Sequence, residues 1–187
     1  MLILQIYLFL GLVLHKIVWE VLRTNMAESP VERASASLAA VKVLKIGVLI
    51  GILVQVWLPD VLPIATDSFE HRLIGVVLYT LGLATAITAR FQLGDNWSNI
   101  ETGQVLDNQS VVAAGIYAYV RHPIYIGDIL LLLGLELALN SWLVLGVLVL
   151  APFVMLKAIK EERMLVGELP GYEAYCRRSK RFIPFVF

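Results

Sequence analysis

The sequence predicts an all-α, polytopic integral membrane protein with five transmembrane helices, including a C-terminal helical hairpin, and a cytoplasmic amphipathic tail. Three observations predict it. Of 187 residues, 59% are hydrophobic and 16% charged, with a mean hydropathy of +0.79, more apolar than a soluble domain of this length. The apolar residues come in long uncharged runs, which makes lipid their natural solvent. The connections between runs alternate between rich and poor in Lys and Arg, as in a chain that threads back and forth across a bilayer.

The first span covers residues 2–22. Its opening, "MLILQIYLFLGLVLHKIVWE", lacks a basic leader and a small-residue cleavage site, so it reads as a retained helix and not a signal peptide. The second covers 38–58, ended by Pro59 and Pro63, and the third covers 71–93. The fourth and fifth cover 124–139 and 142–159, joined by Asn140-Ser141, a turn too short for anything but an antiparallel hairpin. Both are short against the roughly 20 apolar residues that a bilayer needs. With no internal repeat and short links, residues 1–187 read as a single membrane domain.

Arg23, Arg33, Lys42 and Lys45 surround the first connection, Arg90 and Arg121 border the third, and Lys157, Lys160, Arg163, Arg177, Arg178, Lys180 and Arg181 crowd the C-terminus. The second connection, "PDVLPIATDSFE", has none, and only Arg72 falls on that side. The positive-inside rule then puts the N-terminus outside and the C-terminus in the cytoplasm. Segments 94–128 and 157–184 therefore share one compartment, where their polar groups can converge. Net charge is zero, so nothing points to nucleic acid. The lone Cys176 excludes an intrachain disulfide, and no metal-ligand set is read.

The segment "GIYAYVRHPIYIGD" opens the fourth span. Pro123 suits the first helical position, where its missing N–H costs nothing. His122 then lies at the N-cap, beside free N–H groups and the positive end of the dipole, a place for an electron-rich ligand group. Gly127 permits close approach to the backbone, and Asp128 is expected in the first turn. The same residues also fit an interfacial cap, with Arg121 snorkelling and Tyr117, Tyr119 and Tyr125 forming an aromatic belt.

Two further segments carry polar groups at that end. "KAIKEERMLVGELPGYEAYCRRSKRFIPFVF" places Glu161 and Glu162 just past the apolar run. They read either as a solvated helix end paired with Lys157 and Lys160, or as acids that a folded-back apolar tail brings toward His122. "ARFQLGDNWSNIETG" ends the third span with Arg90, stops it at Gly94 and follows with Asn96 and Trp97. Arg90 fits a dipole-complementing C-terminal cation or one wall of a pocket. Glu136, near the outer end and within reach of water, and His15, near the inner end, are the remaining ionisable groups in spans.

Together, "LGDNWSNIE", "GIYAYVRHPIYIGD" and "EERMLVGELPGYEAYCRRSKRFIP" resemble the C-terminal half of the isoprenylcysteine carboxyl methyltransferase family, whose pattern the phospholipid methyltransferases share. The resemblance runs from Arg90 to Pro184. It implies an enzyme with S-adenosylmethionine as methyl donor, bound on the cytoplasmic side. His122, Tyr125 and Gly127, with backbone from Tyr117 to Val120, match the first part of that site, and Glu161 and Glu162 the second. By position, Arg90 and Asn96 fall to the acceptor side, with Arg90 orienting an acceptor carboxylate. The implied acceptor is a lipid-tailed small molecule or prenyl-cysteine, drawn from the membrane, and carboxyl O-methylation is the implied reaction. Pro170-Gly171 departs from the family's usual ending of this segment, and a chain this short looks prokaryotic, placed in the cell membrane. Phospholipid N-methylation, an NADPH-dependent reaction like that of sterol reductases, which share the Arg-His-Pro-x-Tyr-x-Gly string, and a non-enzymatic scaffold are the alternatives.

Overall fold

The computed structural model describes residues 1–22, 36–58, 60–96 and 109–183. Arg23, Arg33, Pro59, Trp97 and Pro184, named above, lie outside the described residues, as do the side chains of Lys42 and Lys45. The described residues form helices and no strands: α1 (Leu2–Val21), α2 (Ala36–Trp57), α3 (Phe69–Leu93), α4 (Pro123–Ala138), α5 (Val144–Glu168) and α6 (Tyr172–Arg178). Short 3-10 turns at Gly94–Asn96 and Gly115–Ala118 precede α4. Two helical stretches among these residues, Leu2–Val21 and Phe69–Asn96, are long and apolar enough to cross a membrane, and Ile46–Trp57 is a shorter apolar one.

The pair α3 and α4 forms the centre. They run antiparallel at very close range because glycine sits on both contact faces, Gly75 and Gly82 on α3, and Gly127 and Gly134 on α4. A Cβ at Gly127 would lie 2.6 Å from the Ala86 nitrogen, and one at Gly75 2.7 Å from the Gly134 carbonyl oxygen. Small residues let backbones approach where no solvent drives helices together, so dispersion contacts do the holding. Sequence reading left open what comes near Gly127; the structure answers that it is α3.

Helix α1 lies along α3. Tyr79, fully buried, donates its hydroxyl to the Leu8 carbonyl at 2.6 Å, and Tyr7 and Thr80 hydroxyls meet at 2.6 Å. The start of α1 meets the end of α2, where Gln5 Nε2 donates to the Val56 carbonyl at 3.1 Å. Leu8, Val56, Tyr79, Leu131, Leu135 and Leu139 form the buried core.

At the end of the molecule that holds the 60–68 connection, the chain is stitched by polar groups. Asn140, at φ 56°, donates to Asp60 Oδ1 and to the Ala65 carbonyl, both at 2.8 Å. Arg72 donates to Asp60 Oδ1 at 2.7 Å and to the Ala138 carbonyl at 2.9 Å. The α4–α5 turn is thus a tight antiparallel hairpin, as Asn140-Ser141 predicts. Glu136 does not reach water there: it is only 5% exposed and accepts a 2.7 Å hydrogen bond from Gln55 of α2, since α2 packs over that face.

Two other expectations change. Asp128 sits beyond the first turn of α4, whose first turn holds no acid, and its carboxylate meets His15 of α1 at 3.0 Å. Helix α5 does not end at 159 but continues to Glu168, because its polar end packs on the rest of the fold. Leu148, Val149, Phe153 and Leu156 on α5 are all more than half exposed, as lipid-facing side chains are.

Candidate active site

Opposite the 60–68 connection, the ends of α3, α4 and α5 meet α6. The start of α4 follows its sequence: His122 is the N-cap and Pro123 the first helical residue, and the His122 side chain makes no capping bond, which leaves the imidazole for other partners. After α5, Gly171 at φ 85° reverses the chain into α6, a backbone state that glycine alone adopts without strain. α6 packs Tyr172 and Tyr175 against Leu165 and Leu169. The chain then passes beside the start of α4: Lys180 N donates to the Tyr119 carbonyl at 3.0 Å, Arg121 N to the Lys180 carbonyl at 2.8 Å, and His122 N to the Arg181 carbonyl at 3.2 Å. Residues 179–182 form a strap across the mouth of α4.

The two adjacent glutamates separate. Glu162 is buried and fully engaged. Its Oε1 accepts from Arg121 Nε at 2.7 Å and pairs with His122 Nε2 at 3.0 Å. Its Oε2 accepts from Arg181 Nε at 3.0 Å and Nη2 at 2.7 Å. Burial alone would raise this carboxyl, but the hydrogen bonds from His122, Arg181 and Arg121 outweigh it and hold Glu162 well below the usual carboxylate range. Arg121 also donates to the carbonyls of Cys176 and Ser179, so one guanidinium ties α4, α5 and the end of α6 together.

Glu161 faces a cleft instead. Burial pushes its carboxyl above the ordinary value, and neighbouring His122 and the hydrogen bond from Tyr125 offset only part of that. The Tyr125 hydroxyl donates to Glu161 Oε2 at 2.9 Å, and His122 Nδ1 stands 3.8 Å from the same oxygen. The His122 and Tyr125 rings stack at 5.4 Å with an interplanar angle of 11°. A partly buried acid with a raised pKa beside a histidine, in a cleft, is a site candidate on physical grounds.

The cleft, with about 700 Å³ of free space counting its open mouth, is concave and mixes apolar walls with a few polar groups, as small-molecule sites do. Tyr117, Tyr125, Tyr172 and Tyr175 give it aromatic walls, Leu165 and Leu169 an apolar floor, and Asn96, Gln109 and Ser110 a polar edge. Burial raises Tyr117 and Tyr172 above the ordinary tyrosine value and pushes Tyr175 up to about 12, so all three are neutral hydrogen-bonding phenols.

Of the residues singled out in the sequence, Asn96, Tyr117, His122, Tyr125 and Glu161 line this cleft. Asn96 latches its edge, its Oδ1 accepting from the Ser110 backbone N at 2.7 Å and hydroxyl at 3.0 Å. Val120 is buried and contributes backbone to the pairing with the strap. Gly127 packs on α3, and Glu162 stands behind His122. Arg90, 1% exposed, donates to the Gly94 carbonyl at 2.7 Å and to that of Leu22. It joins the ends of α3 and α1 and is not among the residues lining the cleft. Sequence reasoning passed over Arg121 and Arg181 as site residues. The signal was present: an acid pair at the end of an apolar run needs cations, and "YVRHP" and "RRSKRFIP" supply them.

Comparison with known proteins gives the family and the fold. Residues 71–169 match the phospholipid methyltransferase family. The cobalt-zinc-cadmium resistance protein CzcN of Cupriavidus metallidurans is 37% identical over 79 residues, which cover 41% of this chain and 37% of that protein. The protein-S-isoprenylcysteine O-methyltransferase of Schizosaccharomyces pombe is 33% identical over 109 residues, covering 57% of this chain and 46% of that protein. The matches thus span less than half the length of either curated relative. The solved structure of a eukaryotic intramembrane Ras methyltransferase, an isoprenylcysteine carboxyl methyltransferase, has the same fold. It superposes with a TM-score of 0.65 at 18% identity, covering 98% of this chain and 68% of that one.

Proposed function

The chain belongs to the phospholipid methyltransferase family, and we propose that it is a membrane enzyme that transfers a methyl group from S-adenosylmethionine to a lipid-tailed acceptor. In this reading residues 2–22, 38–58, 71–93, 124–139 and 142–159 span the bilayer as a single domain of the cell membrane of a prokaryote. The N-terminus lies outside, and the cleft faces the cytoplasm. The observation that carries the reading is Glu161, a partly buried carboxyl held by Tyr125 beside His122 in a cleft with aromatic walls.

The residues present fit such a donor. Bound S-adenosylmethionine would supply an activated methyl group on a sulfonium, in a molecule that also carries an ammonium and a flat adenine. Glu161 is an acid whose burial is only partly offset by its neighbours His122 and Lys157, and four tyrosines offer ring faces and hydroxyls. Gln109, Ser110 and Asn96 supply amide and hydroxyl partners at the polar edge. Methyl transfer asks mainly for alignment, so the chain's task is to hold donor and acceptor and keep water out. The apolar floor at Leu165 and Leu169 serves the second need.

Carboxyl O-methylation is the first reading of the acceptor chemistry, by analogy with the isoprenylcysteine relatives. A carboxylate is ionised near neutral pH and needs no general base. A second reading, methylation of a phospholipid amine, is favoured by Arg90, whose guanidinium is engaged by the carbonyls of Gly94 and Leu22. To test both, the purified protein in lipid is given S-adenosylmethionine labelled in the methyl group together with membrane lipids. Label in an organic extract that is released by mild base marks an ester, and base-stable label marks an amine. No incorporation from S-adenosylmethionine, with oxidation of NADPH instead, would move the protein to the reductase reading. Neither activity would leave a scaffold.

A further inference from the structure

We propose that Arg181, together with its neighbour Phe182, is a positioning residue that acts through Glu162 to fix the His122 imidazole. Thus held, His122 Nδ1 and Glu161 Oε2 form a two-acceptor notch for a hydrogen-bond donor, an ammonium or a hydroxyl, of the bound ligand. The proposal deepens the methyl-donor reading of the same cleft and rests on it for the identity of the ligand.

The geometry runs from the strap inward. Arg181 reaches Glu162 Oε2 with two nitrogens, at 3.0 and 2.7 Å, the planar fork that matches a carboxylate. Oε1 is thereby left for Arg121 at 2.7 Å and His122 Nε2 at 3.0 Å. An ionised carboxylate only accepts hydrogen bonds, so Nε2 must carry the hydrogen, and in a neutral imidazole Nδ1 is then the acceptor. The Phe182 ring, the next residue of the strap, packs at 5.6 Å from the imidazole, and Tyr125 stacks on it. The ring is fixed by contacts to its edge and to its faces. Nδ1 is turned to the Glu161 side, 3.8 Å from Oε2, too far for a direct bond and suited to a ligand donor shared by both. The charged groups around His122 are Glu161 and Glu162 from α5, Arg121 from its own segment, and Arg181 from the strap.

The test uses the full chain in detergent or nanodiscs with nitrogen-15 histidine. Three histidines keep the spectrum simple, and His122→Gln assigns the signal. Without ligand, wild type is expected to show the Nε2–H tautomer. In Arg181→Gln, Glu162 loses a cation, so the His122 titration midpoint should move to higher pH and the tautomer should become mixed. Arg181→Lys should keep the midpoint near wild type. A tautomer and midpoint unchanged by Arg181→Gln, or Nδ1–H in wild type, overturns the proposal. Should Arg181→Gln not fold, Glu162→Gln reads the same signal: the midpoint should fall, and no movement overturns the proposal. Calorimetry then follows S-adenosylmethionine, with about a tenfold affinity loss expected in Arg181→Gln, the scale of one charge-assisted hydrogen bond, and partial recovery in Arg181→Lys. Equal affinities in wild type and Arg181→Gln also overturn it. Absence of binding to wild type would sink the donor reading, while the ligand-free spectra still decide the positioning role.

Discussion

His122 and Glu162 are joined Nε2 to Oε1 at 3.0 Å, with only 5% and 9% of their side chains exposed. This contact divides the labour of the glutamate pair. Glu162 is spent on holding the start of α4, the end of α5 and the C-terminal strap in one place. Glu161, one position earlier and about 100° around the helix, is left to face the cleft. Two neighbouring carboxyls are thereby displaced in opposite directions, which is how one helix end serves both structure and ligand.

Removing the hub should unfold before it merely disables. Glu162→Ala leaves Arg121 and Arg181 buried or half-buried without their carboxylate. Loss of one partner from a buried ion pair costs about 3–5 kcal/mol, and the exposure of Arg181 puts the effect at the lower end. Thermal unfolding in detergent should show a clear fall in Tm, with Glu162→Gln intermediate. A Tm equal to wild type would mean that the strap is held by other contacts.

The same carboxyl sets a pH dependence. Its folded pKa is depressed below the ordinary value of 4.5, so its stabilisation is present above 4.5 and is lost as pH falls through and below it. Glu161 has the opposite displacement, so its contribution favours the folded state at low pH and is lost as pH rises through its raised value. Unfolding followed from about pH 6 down to about pH 3 should show wild type losing more stability than Glu162→Gln. Parallel curves would place the acid sensitivity elsewhere.

Much of this was legible in the sequence, and the remainder fails for a common reason. Pro123 and His122 mark the start of α4 through local backbone chemistry, and Asn140-Ser141 marks the hairpin through its length. Which glutamate faces the cleft depends on the rotation of α5, and that is set by Arg181 and Arg121, contacts distant in the chain. Asp128 looks like a dipole-complementing acid until His15, on the first helix, is brought beside it. Gly127 reads only as a place of close approach, because a glycine does not say which neighbour needs the space.

The α3–α4 seam should tolerate no added bulk. Gly127→Ala puts a methyl group 2.6 Å from backbone nitrogen of Ala86, where nothing flexible can give way, and overpacking of this kind costs about 1–3 kcal/mol. Gly146, where a Cβ would meet nothing within 4 Å, is the control. Comparison of their Tm values checks the seam, and a Gly127→Ala protein as stable as Gly146→Ala would contradict it.

Topology has its own check. Thr66 lies on the connection opposite the cleft, and Lys180 lies on the strap beside it; both are exposed. In a Cys176→Ser background, an impermeant thiol reagent added to intact cells should label Thr66→Cys and not Lys180→Cys. The reverse pattern would invert the orientation and put the cleft outside.

The central claim, that Glu161 is the ligand-facing acid of a methyl-donor site, is tested most directly by titrating wild type and Glu161→Gln with S-adenosylmethionine in a calorimeter at several pH values. A cation binds the ionised carboxyl, so wild-type affinity should rise with pH through the raised Glu161 pKa and then level off. Glu161→Gln should bind about tenfold or more weakly, the scale of a lost charge-assisted interaction, and should lack that rise. Equal affinity in the two proteins across the pH range would contradict the claim.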